Sequence, residues 1–179
     1  MKIVFVRHSK AVEKHLWKKD DFLRPLSKKG IIRAEFFAKK MIKLYPRVDI
    51  MISSEYNQAS DTAGILKKIL KPRSYFMSPH INKNCGYPGF EKLMKSVPEN
   101  TNCCVIIAHV EDIECILKKL TGNKLNNIVM KKPSLADIDL DHNLNGRFNM
   151  VLSYDDDISS LSVFRKSLPR EEGIKEIQL

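Results

Sequence analysis

No stretch of the chain approaches the roughly 20 consecutive apolar residues that a membrane-crossing helix requires. The first residues lack a basic segment leading into a long apolar region and a small-residue cleavage site, so a cytoplasmic protein is expected, not a secreted one. Cysteine is scarce and poorly spaced for zinc. Cys85, Cys103, Cys104 and Cys115 contain no C-x-x-C pair and read as reduced thiols. Nothing in the pattern implies a metal or a cofactor. Aromatic-rich RNA-binding motifs and zinc-finger spacings are missing as well, so nucleic acid is not the expected partner. Internal repeats and linkers are also lacking, and a single domain over residues 1–154 is expected. A charged tail or surface segment, 155–179, would carry Asp155-Asp156-Asp157 and Arg170-Glu171-Glu172.

What the chain does have is positive charge. Its 179 residues carry a formal net charge of +10, which favours anionic partners. Much of the excess lies in doublets such as Lys39-Lys40, Lys118-Lys119 and Lys131-Lys132, the usual mark of solvated helix faces and loops.

The hydrophobic pattern alternates between the two regular structures. Residues 2–6, 48–52 and 103–108 are short apolar runs of the buried-strand kind, and 74–77 adds a short strand. Helical spacing of Ile31, Ile32, Phe36, Phe37, Met41 and Leu44 predicts a helix over 28–44, with Ser27 as its N-cap. Further helices are predicted over 58–70, 90–96 and 112–120. Pro79, Gly86, Pro88 and Gly89 mark 78–89 as loop. Strands over 134–140 and 148–154 flank Asn143-Leu144-Asn145-Gly146, where Asn-Gly offers the positive φ of a tight hairpin turn. The sum is an α/β chain: a three-layer α/β/α sandwich with a mostly parallel central sheet and an antiparallel edge hairpin.

Two of those strands end in histidine. Arg7-His8 follows the first, and His109 follows Cys103–Ala108. Functional groups of open α/β sheets gather at the carboxyl ends of strands. An imidazole there can attack phosphorus, and an adjacent guanidinium can hold phosphoryl oxygens in its fixed fork. Either histidine alone is explained by core hydrogen bonding. Two strands each delivering one are not explained by packing.

Four motifs in order extend the pattern. They are Arg7-His8-Ser9-Lys10-Ala11, then Asp21-x-x-Arg24-Pro25-Leu26-Ser27-x-x-Gly30, then Ser53-Ser54-x-x-x-x-Ala59-x-x-Thr62-Ala63, and finally Ala108-His109. With Pro133-Ser134 and Asn145-Gly146, this series over residues 1–153 resembles the histidine phosphatase superfamily with its phosphoglycerate mutase-like fold. Within it, the closest resemblance is to the small SixA-type phosphohistidine phosphatases. The resemblance implies that His8 is the nucleophile and becomes phosphohistidine, with Arg7 and His109 holding the phosphoryl oxygens. It implies a phosphorylated (phosphohistidine) protein as substrate, with inorganic phosphate or a similar oxyanion as ligand, and a role in signalling.

The sequence departs from the family at one pocket position. Gln58 stands where the family has a second arginine, Glu55 replaces the motif's proline and Asp61 its glutamine. Glutamine supplies neither the charge nor the bidentate fork. Loss of one such donor costs about 2–4 kcal/mol of transition-state stabilisation. Arg24, stiffened by Pro25, is the expected substitute on phosphate. The general acid is not evident; His80, in the loop after the third strand, is a candidate proton donor, its plain alternative being a surface histidine. Glu111 and Asp112 read simply as first-turn acids of a helix. The alternative function is a catalytically weakened relative that binds a phosphorylated partner or anion. A basic nucleic-acid-binding protein is a more distant rival, and a sugar-phosphate mutase would need insertions that this short chain lacks.

Overall fold

A computed structural model describes residues 1–125 and 128–156. Most of the tail expected at 155–179 lies outside the described residues. Six strands form one sheet: β1 (Lys2–Arg7), β2 (Ile50–Ser53), β3 (Ser74–Met77), β4 (Cys103–Ala108), β5 (Ser134–Leu140) and β6 (Gly146–Ser153). Their order is β3-β2-β4-β1-β5-β6. The first four in that order run parallel, whereas β5 and β6 are antiparallel to their neighbours. The helices are α1 (Lys28–Leu44), α2 (Asn57–Leu70), α3 (Gly86–Met94) and α4 (Val110–Leu120).

The near-continuous apolar runs reflect a sheet buried on both faces. Side chains alternate along each strand, so Val4, Val6, Val105 and Ile107 pack beneath α1 and α2. Ile3, Phe5, Cys104 and Ile106 go the other way, into a core with α3 and α4. Phe5 and Phe90 meet there with ring centroids 5.6 Å apart. The result is the expected three-layer sandwich with its antiparallel edge. Among the described residues no helix is long and apolar enough to cross a membrane.

Four details differ from the sequence reading. The buried stripe of α1 is Ala34, Phe37, Ala38 and Met41, while Ile32 and Phe36 are 66% and 55% exposed. α3 starts at Gly86 and so takes in Pro88 and Gly89, because proline is tolerated in a helix's first turn. At the β5–β6 turn the positive φ falls on Leu144, not on the Asn-Gly pair. Asp141 organises that turn by accepting from the amides of Asn143 and Asn145, each at 2.8 Å. Gly146 is needed for a different reason: a Cβ there would lie 2.3 Å from Ile138 Cδ1.

The start of α1 is fastened to the loop leaving β1. Ser27 Oγ accepts from the Gly30 amide and donates to the Lys10 carbonyl. Ser9 Oγ donates to the Gly30 carbonyl at 2.7 Å. The helix lies so close that a Cβ on Gly30 would sit 1.9 Å from the Lys10 carbonyl oxygen. Gly30→Ala should therefore force the helix off the loop and cost about 1–3 kcal/mol, the usual range for overpacking. Chemical denaturation measures this, and an unchanged midpoint would show that the close approach is not required.

Candidate active site

The parallel pairing of β1 with β4 sets Arg7 opposite Ala108, so His8 and His109 leave the sheet at the same edge. The His8 amide donates to the Ala108 carbonyl at 3.2 Å. The two buried imidazoles stand 5.2 Å apart, centroid to centroid. His8 Nδ1 lies 2.7 Å from the Ser9 carbonyl oxygen. A carbonyl only accepts, so Nδ1 carries the proton and the lone pair of neutral His8 is on Nε2. The backbone behind it is also fixed, since the Ser9 amide donates to Thr62 Oγ1 at 3.0 Å.

Arg24 arrives from a loop. A single 3-10 turn, Asp21–Leu23, capped by the Asp20 side chain, ends at Arg24. Its guanidinium donates to Asp21 Oδ1 at 2.6 Å, to the Val12 carbonyl at 2.7 Å and to Gln58 Oε1 at 3.2 Å. Gln58 Nε2 donates in turn to the Asp21 carbonyl at 3.3 Å. Gln58 is thus fully buried, with both ends of its amide engaged by the 21–24 segment. It brackets Arg24. Neither of the other two departures faces the cleft. Asp61 accepts from the Leu26 amide, and Glu55 accepts from Asn82 Nδ2.

A hydrogen-bond chain settles the state of His109. Asn82 Nδ2 bonds Glu55, so Asn82 Oδ1 faces the Glu55 amide and Ser54 Oγ, accepting from both. Ser54 has given its proton to Asn82 and can only accept at 3.1 Å from His109 Nε2. His109 therefore carries its proton on Nε2. Its other nitrogen, Nδ1, is buried and unpaired. Tyr56 packs edge-on against the His109 ring at 5.2 Å.

Arg7, His8, Arg24, Gln58 and His109 line a cleft of about 340 Å³, and Lys83, Asn84 and Lys132, to which no sequence motif points, line it with them. Lys83 and Asn84 come from the loop after β3, held because Asp112 accepts from the amides of Asn84 and Gly86. Lys83 pairs with Asp21 and stands 4.9 Å over the Tyr56 ring. Lys132 comes from the segment entering β5, and its ammonium has no hydrogen bond or ion pair among the described residues. In the sequence Lys83 is a single lysine between two asparagines and Lys132 the second half of a doublet, and neither setting marks a cleft residue. His80 is exposed and is not among the cleft-lining residues. Glu111 and Asp112 do line it.

The electrostatics follow from burial among cations. Burial, then His109 and Lys132, holds His8 well below the usual histidine range. Burial, then Lys83, pushes His109 down to about 3. Lys132 is lowered by burial and by Arg7 and Arg24. At Asp21 burial works upward, but hydrogen bonds from Lys83 and Arg24 prevail and bring it down to about 2. Three buried side-chain polar atoms among the described residues have no partner: Arg7 Nε, His109 Nδ1 and Ser134 Oγ. All three belong to residues at this one edge, since Ser134 pairs with Arg7 in the β1–β5 register. Unpaired buried polar atoms are costly and rare in native proteins. Convergent donors, unmatched cations and the α4 N-terminus suit an oxyanion.

No protein-family model and no curated protein matches the chain. Solved structures do. The protein histidine phosphatase SixA complexed with tungstate matches with a TM-score of 0.75 and 22% identity, over 86% of this chain and 97% of that one. A mycobacterial glucosyl-3-phosphoglycerate phosphatase in complex with VO3 matches at 0.64 and 14%, over 83% and 97%. Phosphoglycerate mutase from Plasmodium falciparum matches at 0.58 and 16%, over 98% and 97%. The fold of this chain is accordingly the phosphoglycerate mutase-like fold of the histidine phosphatases.

The protonation states yield a test. His109 is neutral in the free protein, and an anion against Nδ1 requires the imidazolium. Binding of sulfate, whose charge is constant near neutral pH, should therefore take up about one proton and tighten as pH falls, by up to about tenfold per pH unit. Calorimetry in two buffers of different ionisation enthalpy reads this directly. His109→Gln should abolish the uptake. Sulfate affinity independent of pH in the natural protein would mean that His109 does not meet the anion.

Proposed function

We propose that this chain is a phosphohistidine phosphatase that works through a phosphoenzyme on His8. The observation that carries this reading is one neutral, pre-oriented imidazole sharing its cleft with Arg7 and His109, each of which holds an unpaired buried nitrogen. His8 Nε2 attacks phosphorus in line as the bond from phosphorus to the substrate's leaving nitrogen breaks. The departing imidazole takes its proton from solvent, and the labile P–N bond makes few demands on a general acid. Water then attacks the phosphohistidine. The P–N bond to His8 breaks, its electron pair returns to Nε2, and inorganic phosphate leaves. Phosphoryl transfer depends mainly on positioning and on charge stabilisation at the equatorial oxygens. Arg7, Arg24, Lys132 and protonated His109 supply that charge, and the Ser9 carbonyl keeps His8 in the reactive tautomer through both steps.

The second reading, a relative that binds a phosphorylated partner but turns it over poorly, rests on Gln58. The bond from Arg24 to Gln58 favours the first reading, because a guanidinium stands directly against the position where the family's arginine is missing. Gln58 works here through Arg24.

Two experiments follow. His8→Ala should eliminate turnover of a phosphohistidine peptide together with any acid-labile, base-stable phosphoprotein band. Full turnover in a clean His8→Ala preparation would remove His8 from the reaction. Arg24→Ala should lower kcat/KM by about 10²–10³-fold, as for a lost transition-state donor. Gln58→Ala should cause a smaller loss, and little further loss in the Arg24→Ala background. Additive losses in a double-mutant cycle would show that Gln58 acts independently of Arg24.

A further inference from the structure

A second concavity adjoins the cleft. It has a volume of about 500 Å³ and shares Arg7, Arg24 and Lys132 with the cleft, adding Lys10, Glu13, Arg33, Lys131 and Tyr154. Two of its added cations are already paired, Lys10 with Glu13 at 2.8 Å and Lys131 with Asp155 at 3.0 Å. Arg33 is different. Its guanidinium lies 4.3 Å over the Tyr154 ring, and Nη1 donates to the Lys132 carbonyl at 3.4 Å, with no carboxylate partner among the described residues. Stacking fixes the fork while leaving most of its N–H groups unclaimed, which reduces the ordering cost of taking an anion. Among the described residues, Glu13 is the only carboxylate lining the groove.

The groove also leads somewhere. Arg33 and Tyr154 are shared with a third concavity of about 750 Å³, whose walls include the exposed Ile32 and Phe36 beside Lys39 and Lys40. Cleft, basic groove and amphipathic surface thus form one track along the flank of α1. A small phosphate ester needs no such track, whereas an extended polypeptide does.

We propose that the groove built on Arg33, Tyr154 and Lys132 binds a carboxylate side chain beside the phosphorylated histidine of a protein substrate. This rests on the phosphatase reading for the phosphoryl group in the cleft. The carboxylate meets the Arg33 fork at the outer end, with Lys132 between it and the phosphoryl group. Specificity for acidic sequence near the phosphohistidine then comes from residues that take no part in bond breaking.

The test separates binding from turnover. Two phosphohistidine peptides, one with glutamates flanking the histidine and one with glutamines, are titrated onto full-length His8→Ala protein. The acidic peptide should bind about tenfold more tightly, the size of one partly exposed charge-assisted contact, and the ratio should shrink as salt rises. Arg33→Gln in the same background should bring the ratio close to one without weakening the glutamine peptide. Equal affinities of the two peptides for the Arg33 protein would overturn the proposal. So would an Arg33→Gln variant that keeps the full preference. A sugar bisphosphate that outcompetes its monophosphate through Arg33, with no discrimination between peptides, would assign the groove to a small second phosphate and overturn the peptide assignment. In the protein with His8 intact, failure to hydrolyse either peptide would count against the phosphatase reading alone, because the affinity ratio is read without turnover.

Discussion

The register between β1 and β4 is the constraint on which the rest of the site depends. Lys2 through Arg7 pair in step with Cys103 through Ala108, and both strands are fully apolar between those ends. A slip of one residue would exchange the two buried faces and send Val4 and Val6 away from α1 and α2. The cores on both sides of the sheet forbid that slip. The same register stops both strands at one level, where His8 and His109 face each other. Packing in the body of the protein thereby fixes chemistry at its edge.

Much of this was legible because it was periodic or local. The α1 limits, the central strands and the two strand-terminal histidines follow from apolar runs whose ends are marked by a cap or a polar residue. Arg24 was legible through its neighbour Pro25. What the sequence concealed was placed by tertiary contact. Lys83 and Asn84 reach the cleft because Asp112, on a helix 28 residues further along the chain from Asn84, holds their loop. Lys132 arrives because β5 turns antiparallel against β1. Nothing in a lysine doublet distinguishes a solvated face from a cleft wall. The exposed apolar residues of α1 fall at helical spacing too, so spacing alone does not separate Ile32 and Phe36 from the buried stripe.

The departures at Glu55, Gln58 and Asp61 show how a motif can mislead when each position is read alone. Read singly, they add acid and remove a cation. In space, Asp61 and Glu55 satisfy neighbouring polar groups, and Gln58 takes its place behind an arginine supplied by another segment. The cations left without carboxylate partners crowd one another, which is unfavourable for the free protein. Sites that bind or react commonly carry strain of this kind at the expense of stability.

Asp21 has a consequence beyond its own neighbours. Its carboxylate holds Arg24 and Lys83 and its carbonyl holds Gln58, so one residue clasps the loop before α1, the loop after β3 and the start of α2. That clasp is ionic and partly exposed, whereas the sheet and its helices are held by buried apolar surface. Screening weakens the first, and excluded, kosmotropic salts strengthen the second. A kosmotropic salt therefore acts on the two parts of the protein in opposite directions, firming the body while loosening the rim of the cleft.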